Sequence, residues 1–259
     1  MINPWYIVKA MPYLVQLERQ FRSTQAKHLS DKMGIMIDAD KILEMPKLSI
    51  PIRTNDTNGG IVAHQGLTIL VSPNEYPLLS AQPGIDIYEI GNEIENPAVI
   101  DKPKSPDEYI TFMLAYGGPR PISNPGLVSL NQNSSYWRQL LKKNLEHYCD
   151  YLAIHLYGQS REMERIDNAW IKKTWYRKLS DKWEWLKLIA CMIEFRDKTT
   201  KPIIVTECGV CQLTAEVPQD VYWMDLVLNA VFGNRLIAAT WYNFAELTEY
   251  PGKAILAYF

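Results

Sequence analysis

Apolar residues along this chain come in short runs that stop at turn residues. Gly34–Asp38, Leu48–Ile52, Leu67–Val71, Ile85–Gly91, Gly126–Leu130, Tyr151–Tyr157, 203–207 and 236–242 each read as a strand. Between several of them the spacing changes to that of an amphipathic helix. Met11, Leu14, Leu17, Phe21 and Leu29 predict a helix over 9–32. Ser105-Pro106-Asp107-Glu108 is a helix start, with serine in the N-cap place and proline at the first helical position. That helix runs to about Tyr116 and stops at Gly117-Gly118-Pro119. Further helices are expected over 136–148, in one or two pieces over 163–198, and over 217–232. Connections in the first half are thin: 55–60 is a turn cluster, and 74–82 has room for about two helical turns.

Eight strands interleaved with helices predict an α/β protein, a (β/α)8 TIM barrel with reduced helices in its first half. Only 17 residues follow Tyr242, and Tyr250-Pro251-Gly252 does not favour a long final helix. The barrel is therefore expected either to lack its last helix or to be circularly permuted, with the helix at 9–32 in the eighth position. An alternative makes Trp5–Val8 the first strand and denies 48–52. No repeat, low-complexity tract or linker interrupts the chain, so one domain over 1–259 is expected.

Composition narrows the function. The chain has 259 residues, 47% hydrophobic and 22% charged, enough for one large core, and a net charge of −2 favours neither nucleic acid nor an anionic membrane. No run is apolar and long enough to span a bilayer, and no signal peptide is evident, which suits a cytoplasmic or a mature secreted protein. Lys172-Lys173 and Arg177-Lys178 read as a solvated helix face. The four cysteines are too few for a disulfide framework; Cys208-Gly209-Val210-Cys211 leaves free thiols, a local disulfide and a metal open, in that order of preference. Eight tryptophans and fifteen tyrosines are a high aromatic load, mildly suggestive of stacking on sugars.

The candidate chemistry lies at strand ends. Ile87-Tyr88-Glu89-Ile90-Gly91-Asn92-Glu93 and Ile203-Ile204-Val205-Thr206-Glu207 each deliver a glutamate to the carboxyl end of a strand, where an α/β barrel carries its active site. Two such carboxyls are what glycoside hydrolysis needs. With Ile154-His155-Leu156-Tyr157-Gly158 and Thr240-Trp241-Tyr242, these motifs resemble, over roughly residues 84–244, the retaining glycosidases of clan A, families 5 and 39 among them. The resemblance implies Glu93 as acid/base on strand four and Glu207 as nucleophile on strand seven. It also implies Asn92 on the sugar 2-hydroxyl, Tyr157 supporting the nucleophile, Trp241 flooring the reacting sugar, and Arg53 as a buried strand-two arginine. His155, two positions from Tyr157, is expected on the same face, one layer deeper. Asn131 and Trp137 are candidate substrate contacts. Glu89 is expected to alternate with the catalytic face, and Glu95 to be solvated.

The implied substrate is a β-linked oligo- or polysaccharide, with no cofactor and no metal. The thin first-half loops favour an open cleft for a polymer. Two other readings stay open: a barrel that binds carbohydrate without turnover, and a metal-dependent barrel hydrolase drawing on Asp38, Asp40, His64 and His155.

Overall fold

A computed structural model describes residues 2–23, 28–36, 49–54, 66–72, 74, 81–132, 134–159, 163–166, 169–172, 175–210 and 217–242. Helix α1 (Pro4–Ser23) comes first, followed by β1 (Met33–Met36), β2 (Ile52–Thr54), β3 (Thr68–Val71) and β4 (Ile87–Glu89). Then come α2 (Pro106–Leu114), β5 (Ile122–Ser123), α3 (Ser134–Lys142) and β6 (Leu152–Gly158). A two-stranded antiparallel hairpin, β7 (Met163–Ile166) and β8 (Ala169–Lys172), precedes α4 (Trp175–Lys198), β9 (Ile203–Val210), α5 (Val217–Phe232) and β10 (Leu236–Trp241).

Eight of these strands form one sheet in the order β5-β4-β3-β2-β1-β10-β9-β6, with every neighbouring pair parallel. Isolated parallel bridges at Ser123–Tyr151 and Leu127–Ile154 join the two end strands. Chain order therefore follows the ring, and the sheet is a nearly closed barrel of the expected TIM type with fewer helices. Parallel strands buried on both faces need apolar residues on both. Ile69, Ile87, Ile204 and Ala238 pack together as one cluster, while Ile154, Leu156, Val205 and Ala239 join the larger core with the buried faces of the helices.

Several boundaries differ from the sequence reading. Strand two lies at 52–54 rather than 48–52, because Pro51 uses its carbonyl to take the Ile35 N–H while Ile52 begins the ladder to β3. Strand five is two residues plus bridges, not 126–130; Pro125 has no N–H to give to a ladder. The start of the stretch read as helix from 163 is the β7–β8 hairpin. The helix at 106–114 starts as expected: the Ser105 hydroxyl accepts from Glu108 N–H, and Glu108 accepts from Ser105 N–H.

Trp5–Val8 is helical, which removes the alternative first strand. α1 packs on α4 and α5, and its contacts run in reverse along α4: Lys9 pairs with Asp197 and Glu18 lies by Lys182. A permuted eighth helix would run parallel to α4 and α5, so α1 is an added outer layer of the wrong polarity for that place. The expected turn cluster at 55–60, positions 75–80 of the stretch with room for two helical turns, Asp38, Asp40, His64, Cys211 and the 243–259 tail lie outside the described residues. Cys149, Cys191 and Cys208 are buried free thiols. Among the described residues no helix is long and apolar enough to cross a membrane.

Candidate active site

The site is built on four staves of the barrel. β2 supplies Arg53, β4 and the turn after it supply Glu89, Asn92 and Glu93, β6 supplies His155 and Tyr157, and β9 supplies Glu207. On β6 the alternation works as expected: Ile154 and Leu156 join the outer core, while His155 and Tyr157 share the other face. On β9 it does not. Val205 pairs with Ile154, yet Glu207 pairs with His155, so Thr206 is one surplus residue. That β-bulge re-aims the strand. Thr206 donates its hydroxyl to Glu89 Oε1 at 3.1 Å, and Glu207, the very next residue, also faces the site.

Arg53 ties the centre together. It is 1% exposed, and it donates to Glu89 Oε2 at 2.6 Å, Glu89 Oε1 at 3.2 Å, Glu207 Oε1 at 2.7 Å and Asn92 Oδ1 at 2.8 Å. Burial alone would lower the guanidinium pKa, but Glu89 and Glu207 outweigh it and hold the group firmly charged. Glu89 is thus fully buried inside the site and also accepts from Gly126 N–H at 3.0 Å, contrary to its expected place on the alternate face.

Glu207 meets three donors. Arg53 binds one oxygen, the Tyr157 hydroxyl donates to the other, and His155 Nδ1 stands 3.5 Å from that same oxygen. Burial raises the Glu207 pKa, but the His155 and Arg53 charges and the hydrogen bonds from Tyr157 and Arg53 win and hold it below the usual carboxylate range. Tyr157 is pushed well up, first by burial and then by Glu207. His155 is fully buried; burial lowers its pKa, and the attraction of Glu207 and Glu93 more than reverses that.

Glu93 is 7% exposed and sits in left-handed backbone, φ 44°, just after Gly91 at φ 84°. A residue with a Cβ pays about 1–3 kcal/mol for such a conformation and keeps it only where its surroundings over-determine it. Here Glu93 N–H donates to Gly126 O at 3.0 Å, Asn96 donates to Glu93 Oε2 at 2.5 Å, and His155 Nδ1 lies 2.7 Å from Oε1. Glu93 and Glu207 each bring a carboxylate oxygen within 4.8 Å of the other, with a His155 nitrogen inside the same distance of both. Three donors at that spacing are the size of a cation site, but the Arg53 guanidinium already serves Glu207, and the geometry suits proton handling between two carboxyls.

Other expectations fare differently. Asn92 gives its carbonyl oxygen to Arg53, which orients its amide nitrogen away from that contact. Trp241 ends β10 opposite Ile35 and Cys208, with its ring 1% exposed and its indole N–H without a partner among the described residues, so it does not present an open stacking face. The next residue, Tyr242, is 45% exposed and lies edge-on to Tyr157, centroids 6.3 Å apart. Asn131 accepts the Ser129 hydroxyl and lines, with Tyr157, a polar cleft of about 270 Å³. Trp137 is core: its indole donates to Leu130 O and its ring stacks edge-on with Phe195. A roomier cavity of about 660 Å³, lined by Leu14, Phe21, Trp185 and Trp223, lies between α1, α4 and α5 and touches none of these site residues.

Glu95 is a correction. Expected in solvent, it is 6% exposed, accepts from Val128 N–H at 2.8 Å, and leaves Oε2 without a partner among the described residues. Burial pushes its pKa up to about 7. Asn74, which the sequence reading passed over, bonds the Asn92 backbone at both ends.

No protein-family model and no curated protein sequence matches the chain. Among solved structures it is similar to a GH128 (subgroup II) endo-β-1,3-glucanase from Sorangium cellulosum, at 15% identity over 82% of this chain and 87% of that one, with a TM-score of 0.48. It is also similar to a GH family 44 endoglucanase from Clostridium thermocellum, at 16% identity over 67% of this chain and 47% of that one, with a TM-score of 0.36. These are partial likenesses, and the barrel assignment rests on the strand order and closure described above.

Proposed function

We propose that this barrel is a single catalytic unit, a retaining glycoside hydrolase acting on β-linked oligo- or polysaccharides. The observation that carries the reading is the pair of carboxyls, 114 residues apart in sequence, with oxygens within 4.8 Å of each other. In retaining enzymes the two groups stand about 5–5.5 Å apart, and in inverting ones about 6.5–9.5 Å, to leave room for water. The environment of Glu207 favours its ionised form, as a nucleophile requires.

In this reading the Glu207 carboxylate attacks the anomeric carbon as the bond to the leaving oxygen breaks, and Glu93 gives that oxygen its proton. Water then attacks the same carbon, Glu93 takes a proton from it, and Glu207 leaves. Tyr157 and Arg53 hold Glu207 at one angle and disperse its charge. His155 and Asn96 hold Glu93, and the Asn92 amide nitrogen faces the sugar 2-hydroxyl.

The test is turnover of an activated aryl β-glycoside by Glu93→Gln and Glu207→Gln variants whose fold is checked by circular dichroism. Each should lose at least a thousandfold, and azide should partly restore a Glu93→Ala variant as a glycosyl azide forms. Wild-type rates in both Gln variants would overturn the reading. Binding of glycans by wild type with no hydrolysis across a broad panel would favour the carbohydrate-binding barrel instead.

A further inference from the structure

Glu93 holds its left-handed backbone at the end of a strand ladder that stops short of it. β3 and β4 pair as far as Val71–Glu89, and Ser72 N–H then donates to Glu89 O at 2.8 Å. Beyond that point the neighbouring stave gives no backbone partner to Asn92 among the described residues. Its place is taken by one side chain: Asn74 Oδ1 accepts from Asn92 N–H at 2.6 Å, and Asn74 Nδ2 donates to Asn92 O at 2.9 Å. A carboxamide carries an acceptor and a donor at the spacing of a peptide group, so it can stand in for a strand residue. On the other flank the backbone suffices, since Glu93 N–H donates to Gly126 O and Asn92 bridges to Gly126. Gly91 leaves room for the amide: a Cβ there would come within 3.0 Å of Asn74 Oδ1.

We propose that Asn74 is the positioning residue for Glu93, its amide fixing the Asn92 peptide so that the next residue keeps the strained backbone that aims its carboxyl at Glu207. The kinetic part of this inference rests on the acid/base reading of Glu93. Asp at position 74 could still accept from Asn92 N–H but could not donate to its carbonyl, and Ala could do neither.

The experiment is Asn74→Ala in the full chain, read in two ways. The first compares kcat/KM, which reports the step that expels the leaving group, for aryl β-glycosides with a poor leaving group, phenol, and a good one, 2,4-dinitrophenol. A displaced Glu93 should cost at least tenfold on the phenyl glycoside and under threefold on the dinitrophenyl one, because dinitrophenolate departs without a proton. A general loss of structure lowers both alike, and an equal fall overturns the proposal. The second measures hydrogen exchange at the Asn92 amide by NMR. It should exchange at least tenfold faster in the variant; unchanged exchange overturns the proposal whatever the kinetics. A wild type that cleaves neither glycoside would refute the glycosidase reading, and the exchange measurement alone would then decide the role of Asn74. If Asn74→Ala does not fold, Asn74→Asp is read in the same assays, with the leaving-group difference expected and protection of Asn92 N–H retained.

Discussion

A guanidinium offers five donors in a rigid fork, and Arg53 spends four contacts on two carboxylates and an amide. Removing one partner of a buried ion network strands the others, at about 3–5 kcal/mol. Arg53→Met should therefore lower stability by about that much, seen as a fall in the urea midpoint; a loss under about 1 kcal/mol would mean that the network contributes little. Arg53→Lys keeps the charge but not the fork, and cannot span Glu89 and Glu207 together. Glu95 acts in the opposite sense. Its folded pKa, near 7, lies above the ordinary glutamate value of about 4.3, so its effect on stability is fully favourable below that value and is lost as pH rises through about 7. Glu95→Gln should consequently unfold at higher urea than wild type above pH 7, and the gap should close toward pH 4. Glu207, held low, works the other way: what it contributes is present above the ordinary value and is lost as pH falls through its depressed folded pKa.

Two short elements aim the carboxyls, a turn and a bulge, and a glycine lies between them. A Cβ on Gly126 would stand 2.2 Å from His155 Nε2 and 2.6 Å from Glu89 Oε1, distances at which something must move. Gly126→Ala should cost about 1–3 kcal/mol in thermal or urea unfolding and displace His155 from Glu93, so that activity falls more steeply than stability. This scale also shows what the sequence could reveal. His155, Tyr157 and Arg53 were legible because each lines a run of simple parity, and Glu93 and Glu207 because each closes such a run, although a left-handed turn and a bulge that no pattern shows set their final direction. Asn74 was not, since its role depends on a side chain imitating a strand, which no periodicity encodes. Glu95 was misread as solvated because a charged residue in a turn ordinarily is; Val128 N–H and the burial around it decide otherwise. Trp241 kept its position at the end of β10 but not its exposure, which depends on what packs over the ring rather than on strand order.

At the scale of the molecule the ring of strands is unevenly sewn. β6 and β9 pair over seven register positions, whereas β4 and β5 pair over two, and β5 meets β6 only through isolated bridges among the described residues. Local opening follows the density of such pairing. Amide hydrogen exchange should therefore be fastest, within the barrel, over 122–128 and slowest over 152–157 and 203–208. Equal protection across both stretches would mean that helix packing, not strand pairing, sets the opening free energy. α1 reinforces the tighter side, lying over α4 and α5 rather than over the loose seam. The extra Thr206 in β9 has an outcome of another kind. Val205 faces the helices opposite Ile154 and Glu207 faces the centre opposite His155, so the two would alternate regularly if Thr206 were absent. Taking out that one position would leave the attacking carboxylate where it is and remove only the hydroxyl that Thr206 gives to Glu89, so a one-residue deletion there separates the support of Glu89 from the chemistry of Glu207.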